Sequence, residues 1–280
     1  MLDVEAFVNK IIPFSTVDGP GNRTAIFLQG CNFNCLYCHN PETINVCIHC
    51  GACVSQCPTG ALEKIENKVV WHPEKCVNCD QCIKVCPHNS SPKILKVDEH
   101  MLFEKIKAYK PFISGVTVSG GECTLQSDFL VEFFKVIKGE GLTCFVDSNG
   151  YKDFQEMEAL TGIMDMAMID LKAYDLGDHQ KLTGKSNETV LKNIEYLARM
   201  GKLYEIRTVI VPGVIDNEKT VDEGSKLLAA IDPNIRYKII KYRPMGVRAN
   251  MIDTHTPSEA YIQSLVSIAE GNGLRNIITV

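Results

Sequence analysis

No apolar run in this 280-residue chain approaches the roughly eighteen residues needed to span a bilayer, so a membrane protein is not expected. Basic charge is also in short supply. The 29 Lys and Arg against 34 Asp and Glu leave a net charge of −5, without the positive excess that a nucleic-acid partner demands. The opening Met1-Leu-Asp-Val-Glu-Ala lacks the basic stretch and following apolar stretch of a secretory leader, which places the chain, by expectation, in the cytoplasm. That compartment keeps thiols reduced, which argues against disulfide pairing of the 13 cysteines. Cysteine itself is nearly missing from most of the sequence. Only Cys123 and Cys144 fall outside the stretch 31–86, each in an apolar setting where a thiol serves as a small buried hydrophobe.

With 45% hydrophobic residues the chain can bury a large core. Apolar or β-branched runs at 24–29, 115–119, 142–146, 166–171, 205–211 and 237–241 predict buried strands. Helical spacing at 97–112, 129–138, 152–161, 189–200, 217–230 and 257–270 separates them, with Asp216 as a helix start signal and Pro257 at a first-turn position. About six βα units imply an α/β fold with a parallel sheet, open or curled into a barrel, and a site at the C-terminal strand ends.

The segment 40–92 interrupts this alternation. It holds Cys47-x-x-Cys50-x-x-Cys53-x-x-x-Cys57-Pro58 and then Cys76-x-x-Cys79-x-x-Cys82-x-x-x-Cys86-Pro87, the two-cluster bacterial ferredoxin run written twice. In that pattern the last cysteine of each run ligates the other cluster. One 4Fe-4S cluster would take Cys47, Cys50, Cys53 and Cys86, the other Cys76, Cys79, Cys82 and Cys57. A structural zinc site would favour CxxC pairs at wider separation. So short a domain cannot be held by apolar burial alone, and ligation supplies part of its folding energy.

A third cysteine group, Cys31-Asn-Phe-Asn-Cys35-Leu-Tyr-Cys38, directly follows the first of these strands. Three thiolates would leave one iron of a 4Fe-4S cluster open to an outside ligand. Alternatively, a residue such as His39 completes the set and makes this a third electron-transfer cluster. Later strands end in Ser119-Gly120-Gly121-Glu122, Asp147-Ser148-Asn149-Gly150 and Met168-Ile-Asp170-Leu-Lys172. The two glycines permit close backbone approach, and Glu122 is suited to accept from an ammonium. Singly, such residues are common turn formers; after successive strands they bring carboxylates and an ammonium to one mouth.

The CxxxCxxC loop resembles the signature of the radical S-adenosylmethionine superfamily. Its order with Asp18-Gly-Pro-Gly-Asn-Arg23, the strand-end motifs, Arg207 and Val211-Pro-Gly213 is similar, over nearly the whole chain, to the glycyl-radical-enzyme activating enzymes of the pyruvate formate-lyase activating type. That resemblance implies a partial (βα)6, TIM-like barrel made of residues 1–39 and 93–280, with 40–92 inserted as a bacterial-ferredoxin-like domain. It implies three 4Fe-4S clusters, with Cys31, Cys35 and Cys38 holding the catalytic one. S-adenosylmethionine would be bound by Tyr37 near the adenine, by Gly120, Gly121, Glu122, Asp147, Ser148, Asp170 and Arg207, and by Lys172 at the methionine carboxylate. A monovalent cation would lie among Asp147, Ser148, Met168 and Asp170. The implied partner is a glycyl radical enzyme, and the implied reductant a flavodoxin or ferredoxin. Where relatives place a His near the end of the sixth strand, this chain reads Lys241-Tyr242-Arg243-Pro244, which affects the adenosyl contact. Two other readings remain open: a radical S-adenosylmethionine enzyme acting on a small molecule or another peptide, and an electron-transfer protein.

Overall fold

The computed structural model describes residues 4–280; residues 1–3 of the stretch read for a leader lie outside it. The chain opens with β1 (Ala6–Ser15) antiparallel to β2 (Arg23–Leu28). A small hairpin of β3 (Leu62–Ile65) and β4 (Lys68–Trp71) and the helical turn α1 (Gln81–Lys84) follow, before β5 (Leu95–Val97) returns to pair with β1. From there helices and strands alternate: α2 (Glu99–Ile106), β6 (Gly115–Gly120), α3 (Ser127–Gly139), β7 (Thr143–Ser148), α4 (Glu158–Ile163) and β8 (Met166–Asp170). The remainder is α5 (Leu176–Thr183), α6 (Glu188–Arg199), β9 (Leu203–Ile210), α7 (Asn217–Ile231), β10 (Arg236–Lys241), α8 (Glu259–Gly271) and β11 (Ile277–Thr279).

Nine strands make one sheet in the order β11-β10-β9-β8-β7-β6-β2-β1-β5. All neighbours from β2 to β11 are parallel, which makes this an α/β fold with a mostly parallel central sheet. Alternation along the strands divides its two faces. Val116, Val118, Val146, Ile169, Ile206 and Ile239 join helix residues such as Phe129, Phe133, Leu197 and Leu265 in one buried cluster. Complete burial contributes about 1.5–3 kcal/mol for each large side chain. The opposite face carries Arg23, Thr117, Ser119, Asp147, Asp170, Arg207 and Lys238, and register brings them close: Asp147 lies beside Met168, Asp170 beside Arg207, and Arg207 beside Lys238.

The six expected strands and most helices are present, with shifted ends. Val97 belongs to β5, and Asp98 caps α2 by accepting from the Met101 amide at 2.7 Å. Pro257 precedes α8 rather than beginning it, because Ser258 takes the cap and accepts from the Tyr261 amide at 3.2 Å. Asp216 caps α7 as expected, accepting from the Lys219 amide at 2.9 Å. Periodicity did not reveal β1, β5, β11 or α5. β1 mixes exposed and buried positions irregularly, and β5 and β11 are three residues each.

Within 45–92, Leu62, Val69, Cys53 and Cys82 form a separate small core. The backbone there is tightly wound. His49 and Asn78, and likewise Gly51 and Asp80, occupy matching places in the two cysteine runs, and all four have positive φ.

Candidate functional site

The loop carrying the first three cysteines is fixed by backbone bonds from several directions. Gly30 and Cys31 donate to the carbonyls of Thr43 and Ile44 at 2.8 and 2.9 Å. Asn34 and Leu36 donate to Thr183 and Leu182 at 3.2 and 2.9 Å, so the end of α5 holds the loop's far side. From the chain's C-terminal part, Arg248 Nη2 donates to the Cys35 carbonyl at 2.8 Å.

Cys31, Cys35 and Cys38 face a cavity of about 290 Å³ at the C-terminal strand ends. Gly120, Gly121, Asp147, Ser148, Asp170 and Lys172 line it, together with Tyr37, His39 and Arg207. Burial pushes the Cys31 thiol up to about 12 and the Cys35 thiol up to about 11, so both are protonated at neutral pH and ligation must release their protons. Lys172 Nζ lies 2.8 Å from Asp170 Oδ2 and 5.6 Å from the centre of the Tyr37 ring. Burial alone would lower this ammonium; Asp170, through its charge and its hydrogen bond, acts together with the neighbouring Tyr37 and Cys35 to outweigh it and hold the lysine well above its usual range. Burial likewise pushes Asp147 up to about 6 against the opposing pull of Arg207, whose Nη1 lies 3.1 Å from it.

Two expected site residues do not face the cavity. Glu122, 1% exposed, accepts from the Thr124 amide, Thr124 Oγ1, Ser148 Oγ and the Asn149 amide at 2.6–3.0 Å. Its carboxylate braces the wall from behind and is not directed at an ammonium. Met168 is fully buried, and its Sδ accepts from Arg207 Nη2 at 2.9 Å. His39 Nε2 donates to the Arg243 carbonyl at 2.9 Å, which leaves Nδ1 as its acceptor nitrogen. Next to it, Tyr242 packs in a buried group with Tyr37, Ala173 and Val211.

The glycines have an internal reason. A Cβ on Gly120 would stand 2.2 Å from the Leu28 carbonyl oxygen, and one on Gly121 would stand 2.3 Å from that of Gly30 and 2.6 Å from that of Thr43. The close approaches are between Gly120 and the end of β2, and between Gly121 and the backbone at the start of the chain's own cysteine loop. Gly121→Ala should therefore destabilise the apo-protein by roughly 2–4 kcal/mol, as a backbone clash cannot relax by rotamer change. Thermal unfolding measures it.

Two smaller cavities lie in the 45–92 segment. Cys47, Cys50, Cys53 and Cys86 line one, and Cys57, Cys76, Cys79 and Cys82 line the other. Among the described residues no three His, Cys, Asp or Glu side chains converge tightly enough for a single metal ion; these cysteines surround a space instead.

Sequence reasoning did not single out Glu205 and Val17, which bond Arg207, or Lys238 and Arg236, which bond Glu205 beside it. Alternating charge in β9 and β10, Glu205-Ile-Arg207 and Arg236-Tyr-Lys238, was the available signal.

A parallel sheet with three cysteines and a lysine–carboxylate pair at one strand-end cavity is consistent with the radical S-adenosylmethionine class, and the radical SAM superfamily pattern matches residues 25–223. The chain belongs to that superfamily and, within it, to the glycyl-radical-enzyme activating enzymes. It is 34% identical to the trans-4-hydroxy-L-proline dehydratase activating enzyme of Clostridioides difficile, over 82% of each chain. It is 31% identical to the choline trimethylamine-lyase activating enzyme of Oleidesulfovibrio alaskensis, over 88% of this chain and 86% of that one. A crystal structure of a domain of pyruvate-formate lyase-activating enzyme from Bacteroides vulgatus superimposes with a TM-score of 0.51 at 26% identity, covering 60% of this chain and 99% of that domain. The donor set fits the groups this family implies. Three soft thiols suit an iron–sulfur cluster, and the charged Lys172–Asp170 pair suits a zwitterion. The Tyr37 hydroxyl, buried without a partner, adds a polar atom without a protein ligand.

Proposed function

We propose that this protein is an activase that uses S-adenosylmethionine to place a radical on a glycine of a partner glycyl radical enzyme. The observation that carries the reading is the convergence of Cys31, Cys35, Cys38, Lys172, Asp170 and Asp147 on one cavity. When bound there, a 4Fe-4S cluster and S-adenosylmethionine supply one-electron cleavage to a 5′-deoxyadenosyl radical, which removes the glycine Cα hydrogen. The chain's own residues bind and orient. Lys172 takes the methionine carboxylate through its ammonium, with Asp170 fixing its direction. Tyr37 borders the adenine. Asp147, Ser148 and Asp170 are our assignment for a monovalent cation beside the sulfonium, without Met168, whose sulfur is turned to Arg207; Gly120 and Gly121 let the wall close over the loop. No side-chain base takes part in the hydrogen transfer.

The finer architecture belongs to the same reading. The polar sheet face is the interior of a partial (βα)6 barrel of residues 1–39 and 93–280, open sideways to a protein loop. Residues 40–92 are a ferredoxin-like insertion whose two cysteine-lined cavities hold 4Fe-4S clusters, fed by a flavodoxin or ferredoxin in the cytoplasm. The crossed pairing has its own test. Cys86→Ser should remove the cluster of Cys47, Cys50 and Cys53 while sparing that of Cys76, Cys79 and Cys82, so iron falls from about twelve to about eight per chain. Loss of the Cys76, Cys79 and Cys82 cluster in place of the other, of both inserted clusters, or of neither, would refute the pairing.

The activity is tested by anaerobic reconstitution, dithionite reduction and assay of 5′-deoxyadenosine, followed by electron paramagnetic resonance for a glycyl radical on candidate partners. Product with a glycyl doublet establishes the reading. Product whose adenosyl hydrogen comes from a small molecule overturns the partner, and absence of product overturns the class of reaction.

A further inference from the structure

Arg207 was expected to touch S-adenosylmethionine, yet its donors point elsewhere. Nε bonds Glu205 Oε1 at 2.7 Å, Nη1 bonds Asp147 Oδ2 at 3.1 Å, and Nη2 bonds both the Val17 carbonyl at 3.1 Å and Met168 Sδ at 2.9 Å. A guanidinium has five N–H groups, and these contacts use four. Glu205, 1% exposed, gathers two further cations: Lys238 Nζ at 2.8 Å on Oε1 and Arg236 Nε at 2.6 Å on Oε2. Lys238, 7% exposed, also reaches the Val17 carbonyl at 3.4 Å. One carbonyl of the β1–β2 loop thus receives donors from β9 and from β10. The next residue is held as well, since Thr117 Oγ1 donates to the Asp18 carbonyl at 2.5 Å and in turn accepts from Arg23 Nε at 2.8 Å.

This arrangement links the cavity wall to the β1–β2 loop. Asp147 is a wall of the cavity, whereas Val17 in the loop is 65% exposed. A carboxylate buried among three cations stays ionised, and the charges of Arg207, Lys238 and Arg236 keep Glu205 below the usual carboxylate range despite its burial. Removing one member of such a network leaves the rest uncompensated in a poorly solvated place.

We propose that Glu205 and Lys238 are positioning residues: Glu205 acting through Arg207, and Lys238 acting through Glu205 and its own bond to the Val17 carbonyl, hold the Val17–Asp18 loop against the polar face of the sheet at a set distance from the Asp147 wall. Arg207 is then a coupler between cavity and loop rather than a ligand of S-adenosylmethionine. The consequence for catalysis, a loop held ready where a protein substrate meets the cavity, rests on the function proposed above.

The test uses the reconstituted full chain as wild type, Lys238→Met, Lys238→Arg and Glu205→Gln. Hydrogen–deuterium exchange is read at residues 16–19, beside iron content, the S-adenosylmethionine dissociation constant and 5′-deoxyadenosine formed with dithionite alone. Lys238→Met should speed exchange at 16–19 by about fivefold, the worth of one buried hydrogen bond, with iron and S-adenosylmethionine affinity within about twofold of wild type. Lys238→Arg keeps a donor for both Glu205 and Val17 and should restore protection, which a merely space-filling role would not do. Glu205→Gln should free the same residues more than Lys238→Met does. Unchanged exchange at 16–19 in both Lys238→Met and Glu205→Gln overturns the proposal, as does a Lys238→Arg protein as loose as Lys238→Met. A wild-type protein that forms no 5′-deoxyadenosine would instead overturn the proposed function and leave the loop measurement standing.

Discussion

A Cys35→Ala protein should form no detectable 5′-deoxyadenosine while retaining about eight of about twelve irons. The expectation follows from where this thiol sits. Cys35 is 8% exposed, its carbonyl is pinned by Arg248 Nη2, and its neighbours Cys31 and Cys38 complete the only soft donor set on that cavity among the described residues. With one thiolate gone, two remain, and the cavity no longer matches a cluster with a single open iron. The inserted segment should be unaffected, because its eight cysteines line other cavities and its small core is separate. Iron quantitation together with product assay separates the outcomes. Retained cleavage would remove Cys35 from the catalytic cluster; loss of all iron would show instead that the three cysteine groups assemble as one unit.

Lys172→Ala should raise the dissociation constant for S-adenosylmethionine by roughly 10- to 100-fold and leave iron content unchanged, since a charge-assisted bond to a carboxylate is worth about 1.5–3 kcal/mol. The lysine side chain is 12% exposed and Asp170 lies 2.8 Å away, so truncation also leaves that carboxylate without its partner. The sign of the pH dependence is fixed by the same pair. A lysine held well above its usual range stays charged throughout neutral and mildly alkaline solution, so its contribution to binding should not change between about pH 7 and pH 9. Equilibrium binding of S-adenosylmethionine to the reconstituted protein provides both readings. An unchanged dissociation constant in the variant would defeat the carboxylate role.

The cysteine spacing and the strand-end motifs could be read directly because local sequence carries that chemistry. A CxxxCxxC loop brings three sulfurs near one another whatever surrounds it, and a short buried strand shows itself as an apolar run. Glu122 shows the limit. Its place after a strand was legible, but the direction of its carboxylate was not, because the amide of Asn149 and the hydroxyls of Thr124 and Ser148 compete for it from other parts of the fold. The paired glycines were legible as a need for close approach; that the approaching group is the backbone of Leu28 and Gly30 depended on which strands became neighbours.

What the sequence determined by itself, then, was the α/β alternation, the three cysteine groups and the identities of Lys172, Asp147 and Asp170, because each is written in spacing over a few residues. The tertiary structure decided which of these share a space. Parallel register set Asp170 beside Arg207 and Arg207 beside Lys238, although 31 residues separate the last two in the chain, and the otherwise unremarkable α5 became the support of the cysteine loop. Such pairings arise from packing one helix-covered face of the sheet, which leaves the charged side chains of distant strands to satisfy one another on the other.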